Sequence, residues 1–491
     1  MTSEPELVDE KGLLQPHKVV DYIRNKADLV IATLEDSLQM LCYDENTGVW
    51  NPDGEIRLKE HAEKMLASSE LLKKQLNVHT MGEIKARMEW ITYTDREAFQ
   101  PPPNKICLKN GVLYVDEGRF GDTHAAIDGF RNAIPVTYDS LATCPTIEKF
   151  LTEVMGDQAS LFYEVAGYCL RPGNKYQRAI MFVGFGDNGK STAANLLKTF
   201  LGPCNVSSRS LQELCEHRFA VADLDGKLAN VYSDIPDRAL FQTGTFKMLT
   251  GGDSITAEHK FQRSFQLVNG AKLIFSCNIL PESKDDSDAF FKRWIIVPFN
   301  RTIPPEQQDR DLLAKLTTPQ ELSGFLNKAL AAYKEMESRG SFTGEDDIEG
   351  KRAFYQRLSD PISCFIDDCV DFDPDKYTVK QQLFQAFQTY CKEKRYGKVY
   401  TQKRFFRDFR DKAGSNYIVD SQINLDAGGT TRILRGVNLR ESIAPLAPLA
   451  AFSYLTNIQN PMEIKRKNPA NPANPAMSQT AISQPKEGSP Q

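Results

Sequence analysis

Several common features are missing from this chain of 491 residues, and each absence excludes something. No apolar run approaches the roughly 18 residues that a membrane-crossing helix needs, so no helical span is expected. The opening MTSEPELVDEKG is acidic and polar and does not follow the plan of a secretory signal. Ten cysteines are scattered without a C-x-x-C pair, which argues against a zinc ribbon or a disulfide framework and fits a reducing cytoplasm. A dominant charge of one sign is also absent. With 60 Lys/Arg against 65 Asp/Glu the net charge is −5, so any grip on nucleic acid must come from local patches. What remains is an ordinary globular composition, 25% charged and 41% hydrophobic, on a chain long enough for two to four domains.

The stretch that organises the chain is Ala179–Phe200, AIMFVGFGDNGKSTAANLLKTF. Ala179 to Val183 reads as a buried strand. Gly184 to Ser191 spells G-x-x-x-x-G-K-S, the phosphate-binding P-loop pattern. Ala193, Leu196, Leu197 and Phe200 then recur at helical spacing. Gly184, Gly186 and Gly189 let the backbone curl so that its N–H groups face phosphate oxygens, and the helix start adds a positive dipole end. Gly184, Phe185, Gly186, Asp187, Asn188, Gly189, Lys190, Ser191 and Thr192 are therefore the expected ATP-binding set. Lys190 should reach the β- and γ-phosphates, and Ser191 should offer a hydroxyl to Mg²⁺. The plain alternative is a glycine-rich turn.

Other segments carry weaker signals. Residues 1–140 read as a small α+β region, with hairpin signals at Asp44–Gly48 and Asn110-Gly111 and helical texture from Leu58 to about Arg96. His124 stands alone and reads as structural. Ile147–Leu170 and Leu211–Ala222 read as helices. Leu228–Asp234 reads as a strand delivering a second Mg²⁺ carboxylate, Asp234, with Asp237 as the fallback. Ser254–Val268 suits a hairpin with His259 and Lys260 at a cationic tip, which could hold a phosphate backbone or be a simple exposed turn. Lys272–Cys277 is a buried strand ending at Asn278, a candidate for orienting water or sensing the γ-phosphate. Arg293, just before the strand Ile295–Phe299, could be an arginine finger or a surface ion-pair residue.

Their order strengthens them. GFGDNGKS, Asp234, KMLTGGDSITAEHKF, LIFSCN and FFKRWIIVPF follow one another within about 120 residues. This series resembles the superfamily 3 helicases, in the branch of viral, phage and plasmid primase–helicases that includes the poxvirus replication protein. LKNGVLYV and EVAGY extend the resemblance upstream, so that it covers roughly Ile31 to Phe299. It implies an AAA+-like α/β core, ATP and Mg²⁺, and assembly into a hexameric ring on single-stranded DNA. In that arrangement Arg293 completes the neighbour's site, Lys260 and His259 line the channel, and Asn278 is the sensor. Tyr232-Ser233-Asp234-Ile235-Pro236 departs from the adjacent acidic pair of many helicases, which leaves the water-polarising base unassigned. No convincing set of metal-binding acids plus His precedes the core, so this chain is not expected to prime, and a primase would be another protein or be lacking.

Residues 301–350 read as a helical linker. Residues 378–440 hold 13 Lys/Arg against 5 Asp/Glu. In Thr401–Lys412 the apolar side carries Phe405, Phe406 and Phe409, while Lys403, Arg404, Arg407 and Arg410 face water. With a hairpin around Asp426–Gly429 this suits a winged helix over 351–440, binding duplex phosphates or, alternatively, a protein. NPANPANPA and its surroundings make 441–491 a disordered tail by composition. The leading expectation is an ATP-dependent DNA helicase. The rivals are a P-loop ATPase that binds, loads onto or packages DNA without separating strands, and a non-enzymatic DNA-binding factor.

Overall fold

The N-terminal residues form two small sheets with helices packed on them. In the computed structural model, α1 (Pro16–Lys26) precedes a sheet of β1 (Ile31–Leu34), β2 (Met40–Asp44), β3 (Val49–Asn51) and β4 (Tyr93–Thr94), in the order β3-β2-β1-β4. Residues 7–440 are described, apart from 27–28, 68, 101, 185–187, 236–239, 241, 279, 300, 302, 346, 394–399, 415–417 and 425–429. Between β3 and β4 run α2 (Gly54–Leu66), α3 (Glu70–Gln75) and α4 (Val78–Ile91). The helical texture from residue 58 is thus divided. Ser69 and Asn77 each accept backbone N–H bonds and start a new helix. The apolar faces of α1, α2 and α4 meet through Val19, Val20, Ile23, Leu58, Ile84 and Met88. The second sheet is β5 (Lys105–Leu108), β6 (Gly111–Tyr114) and β7 (Arg119–Gly121), with the expected hairpin at Asn110-Gly111. His124 gives its Nε2 to the Leu108 carbonyl at 3.0 Å and is structural.

The expected helix from Ile147 to Leu170 is two helices, α5 (Pro145–Met155) and α6 (Ala159–Cys169), because Gly156 takes φ +59°. The central sheet follows. Its strands are β8 (Ala179–Val183), β9 (Val206–Ser207), β10 (Ala229–Tyr232), then, after a separate hairpin of β11 (Ser254–Glu258) and β12 (Ser264–Val268), β13 (Lys272–Cys277) and β14 (Trp294–Pro298). The order is β14-β8-β13-β10-β9 and every pairing is parallel. Parallel strands are covered on both faces, which is why these segments are apolar without alternation. On β8, Ile180 and Phe182 enter one layer with Phe162, Leu196, Phe200 and Phe325. Ala179 and Met181 enter the other with Leu214, Phe246, Phe275 and Trp294. The connecting helices are α7 (Lys190–Leu201), α8 (Leu211–Glu216), α9 (Arg218–Ala222), α10 (Gly244–Gly251) and α11 (Asp288–Phe291); the single helix expected over Leu211–Ala222 breaks at His217.

Past the sheet come α12 (Leu312–Leu316) and α13 (Pro319–Arg339). Here the linker expected over 301–350 is corrected. Leu322, Phe325, Leu326, Ala329, Tyr333 and Met336 of α13 are core residues against α6, and Glu345 pairs with Arg178 at 2.7 Å. Likewise α14 (Ile348–Ser359) packs Tyr355 and Leu358 into the second layer of the central sheet. The last cluster of core residues therefore begins nearer Ile362 than 351. It joins α15 (Pro361–Cys369), β15 (Val370–Asp371), β16 (Tyr377–Val379), α16 (Lys380–Glu393), α17 (Gln402–Ala413), β17 (Val419–Asn424), β18 (Thr430–Arg435) and β19 (Asn438–Leu439). β16-β18-β17 is an antiparallel sheet, and Phe365, Phe387, Phe405 and Leu434 pack between it and the helices. The expected turn at Asp426–Gly429 and the expected disordered tail at 441–491 lie outside the described residues. Among the described residues no helix is long and apolar enough to cross a membrane.

Candidate nucleotide cleft and basic surfaces

Because all five central strands are parallel, their carboxyl ends share one edge. The chain leaves β8 to build β9 and β10, then returns to β13 beside β8. A crevice at that reversal is where open α/β sheets bind ligands. A cavity of about 950 Å³ lies there, lined by Gly189, Lys190, Ser191, Thr192, Ser233, Asp234 and Asn278. Segments far apart in sequence thus meet at one cavity.

The loop between β8 and α7 is pinned by its own side chain. Asn188, only 3% exposed, donates Nδ2 to the Phe299 carbonyl at 2.9 Å, and its Oδ1 accepts from Lys190 N at 3.3 Å. A Cβ on Gly184 would stand 2.4 Å from the Phe299 oxygen, and Gly189 takes φ +82° as the residue before α7. The side-chain amide of Asn188, a residue of the expected ATP-binding set, is spent on shaping the loop. Phe185, Gly186 and Asp187 lie outside the described residues.

Lys190 is buried, and its ammonium donates to the Gly184 carbonyl, to Asn188 Oδ1 at 3.3 Å and to Asn278 Oδ1 at 3.2 Å. Burial pulls its pKa below the ordinary lysine value, against the opposing pull of nearby Cys277 and Asp234. Among the described residues the amine therefore has neutral acceptors and no carboxylate within ion-pair distance, which favours an incoming anion. Asp234 follows β10 with φ +65°, uncommon for a residue other than glycine, and its carboxyl lines the cleft beside exposed Ser191. One hydroxyl and one carboxylate fit Mg²⁺, which keeps waters and shares its shell with substrate phosphates. Among the described residues no group of three His, Cys, Asp or Glu converges on a metal position. The fallback Asp237 lies outside the described residues.

The structure also brings in residues that the motifs did not indicate. Thr146, Lys149, Phe150 and Glu153 of α5 form one wall, and Arg301, Gln307, Gln308 and Lys315 another. They carry no motif signal, because they are ordinary helix and loop residues until the fold sets them opposite the glycine loop.

Arg293 stands elsewhere. It precedes β14, where its carbonyl accepts from Ala179 N at 2.7 Å, so it sits at the opposite end of β8 from the glycine loop. It is 8% exposed. Its guanidinium donates to Thr250 Oγ1 at 2.8 Å, to the Lys247 carbonyl at 3.3 Å and to the Ala289 carbonyl. Arg293, read from the sequence as an arginine finger or a surface ion-pair residue, is a buried side chain whose guanidinium is bonded to acceptors of its own chain.

The β11–β12 hairpin has the expected form, with Glu258 opposite Ser264 and residues 259–263 as its tip. Its two candidate residues part company. Lys260 is exposed, whereas His259 turns back and stacks on Phe265 at 5.8 Å. Behind Phe265 lies Arg96 from the N-terminal residues, its guanidinium 4.4 Å from the ring centre. Arg96 also grips Asp36 at 2.7 and 2.9 Å and Asp225 at 2.9 Å. On α17, Lys403, Arg404 and Arg407 are exposed along a cleft of about 1050 Å³ facing β17–β18, with Arg410 and Arg432. Arg404 and Arg407 each lean on Asp408, and Arg410 and Lys380 pair with Asp420.

Two protein-family models match this chain. Residues 28–156 match a family described as D5 N terminal like, and residues 182–293 match a family of unknown function (DUF5906). The chain is 27% identical over 314 residues to "Putative helicase 121R" of Invertebrate iridescent virus 3, covering 54% of this chain and 32% of that protein. It is 24% identical over 266 residues to "Putative helicase 022R" of Frog virus 3, covering 48% and 27%. The match spans about a third of the length of these relatives. Among solved structures, the apo C-terminal region of NrS-1 (305–718) aligns over 86% of this chain and 99% of that one, at 12% identity and a TM-score of 0.48. The chain is therefore similar to viral proteins named as putative helicases, and its residues 28–156 to the D5 N-terminal family.

Proposed function

We propose that this chain is the ATP-driven part of a replicative DNA helicase of superfamily 3 type, with an AAA+-like core, a C-terminal winged helix and a hexameric working form. The observation that carries the reading is the convergence of Lys190, Ser191, Asp234 and Asn278 on one cleft, beside a separate β11–β12 hairpin with Lys260 exposed at its tip. In this reading the loop amides and Lys190 hold the β- and γ-phosphates, and Mg²⁺ would be held by Ser191 and Asp234. That ion, when bound, neutralises charge on the transferring phosphoryl group. Asn278 releases Lys190 to the phosphate and keeps its amide for the γ-phosphate or the attacking water. Lys260 meets the strand, and Lys403, Arg404 and Arg407 meet duplex phosphates ahead of it.

A forked-duplex unwinding assay run beside ATP turnover tests this. Single-stranded DNA should raise turnover and the fork should open. Lys190→Ala should lower turnover about a hundredfold or more, as expected for loss of a principal charge-stabilising donor. The basic face of α17 favours one second reading, an ATPase that loads onto or packages duplex DNA. Turnover stimulated by duplex with the fork left closed would select it.

A further inference from the structure

We propose that Phe261, at the tip of the β11–β12 hairpin, is a stacking plate for an unpaired nucleobase. The proposal rests on the reading that this hairpin meets single-stranded nucleic acid, and it adds the part of the strand that is read. Phe261 has φ +66°, a conformation that suits glycine and is strained for a bulky aromatic. Its ring is 92% exposed. A turn needing positive φ would be relieved by glycine, so folding does not account for a phenylalanine here.

The surroundings select the partner. The Lys260 ammonium lies over the ring at 5.0 Å, and Arg263 is exposed two residues on. Gln262 and Ser264, also exposed, give the ring no apolar rim. A protein docking patch or a lipid surface would need more apolar area than one ring. A flat π-face carrying its own negative charge matches both the ring and the cations, and that is a base with its phosphate. The tip is also held from behind. Phe265 is packed between the His259 ring and the Arg96 guanidinium, and Arg96 is fixed by Asp36 and Asp225. Phe261 is thus presented on a braced support and loses little freedom when a base arrives.

The test uses the full chain with a non-hydrolysable ATP analogue. Binding is measured to a single strand containing 2-aminopurine and to an abasic strand of equal length. Phe261→Gly should weaken binding to the base-bearing strand on the order of tenfold, abolish 2-aminopurine quenching and leave abasic binding unchanged. Its melting temperature should equal or exceed that of the parent, because glycine relieves the backbone. Phe261→Trp should keep both affinity and quenching. Lys260→Ala should weaken both strands. If Phe261→Gly affects both strands equally or neither, while Lys260→Ala weakens both, the stacking role is wrong and the hairpin reading survives. If Lys260→Ala changes neither, the hairpin reading fails and the proposal falls with it. A loss of self-association by Phe261→Gly without DNA would place the ring against a second copy and overturn it too.

Discussion

At the scale of single residues, two cations predicted by motif end in opposite situations. Lys190 is buried among neutral oxygens, and burial lowers its pKa. In the free protein it should lose its proton at a lower pH than an ordinary lysine. A bound polyphosphate restores a partner charge and pushes the value back up. The alkaline limb of kcat/KM should therefore fall at lower pH than that of kcat, and a pH–rate series on both constants checks this. Arg293 is buried too, but its donors already serve Thr250, Lys247 and Ala289. Arg293→Ala should cost about 1–3 kcal/mol for each buried acceptor left unpaired. Chemical denaturation of the variant measures it; an unchanged midpoint would restore a projecting role. Nothing in FFKRWIIVPF separates these cases, since a sequence names the cation and not the oxygens around it.

At the scale of elements, the hairpin and the N-terminal residues are one mechanical piece. Arg96 lies some 130 positions before Asp225 and is joined to it and to Phe265, while Asp36 holds its other edge. Arg96→Ala should leave Asp36 and the half-buried Asp225 short of a partner. We expect a loss of roughly 2 kcal/mol in unfolding free energy, in line with breaking a largely buried ion pair that keeps one remaining partner, Arg131. Arg96→Lys should recover only part, because one ammonium cannot serve two carboxylates and lie flat on a ring. Equilibrium unfolding of both variants decides it. The hairpin itself was legible from alternating residues between turn signals. Its brace was not, because the partners are joined by packing rather than by spacing.

At the scale of the whole molecule, the central sheet is closed by a helix that reads as a connector. Gly167 of α6 lets α13 approach so closely that a Cβ would stand 2.3 Å from the Ala329 carbonyl. Glu164, one turn earlier and buried, accepts from Arg339 at 2.7 Å and from Thr343 N at 2.8 Å, fixing the far end of α13. Gly167→Ala should force the helices apart and cost about 1–3 kcal/mol, the usual range for overpacking. A thermal unfolding scan would show it as a lower midpoint.

The sequence by itself determined the strand–loop–helix unit, the strands carrying Asp234 and Asn278, and the hairpin. Each of these is specified by neighbours a few residues apart, where local sterics and hydrophobic period act. Only the tertiary structure decided that α13 and α14 belong to the central core, that α5 with Arg301, Gln307, Gln308 and Lys315 walls the cleft, and that Arg293 points inward. Those outcomes depend on which apolar faces meet and which buried oxygens need a donor, and both are properties of the packed chain.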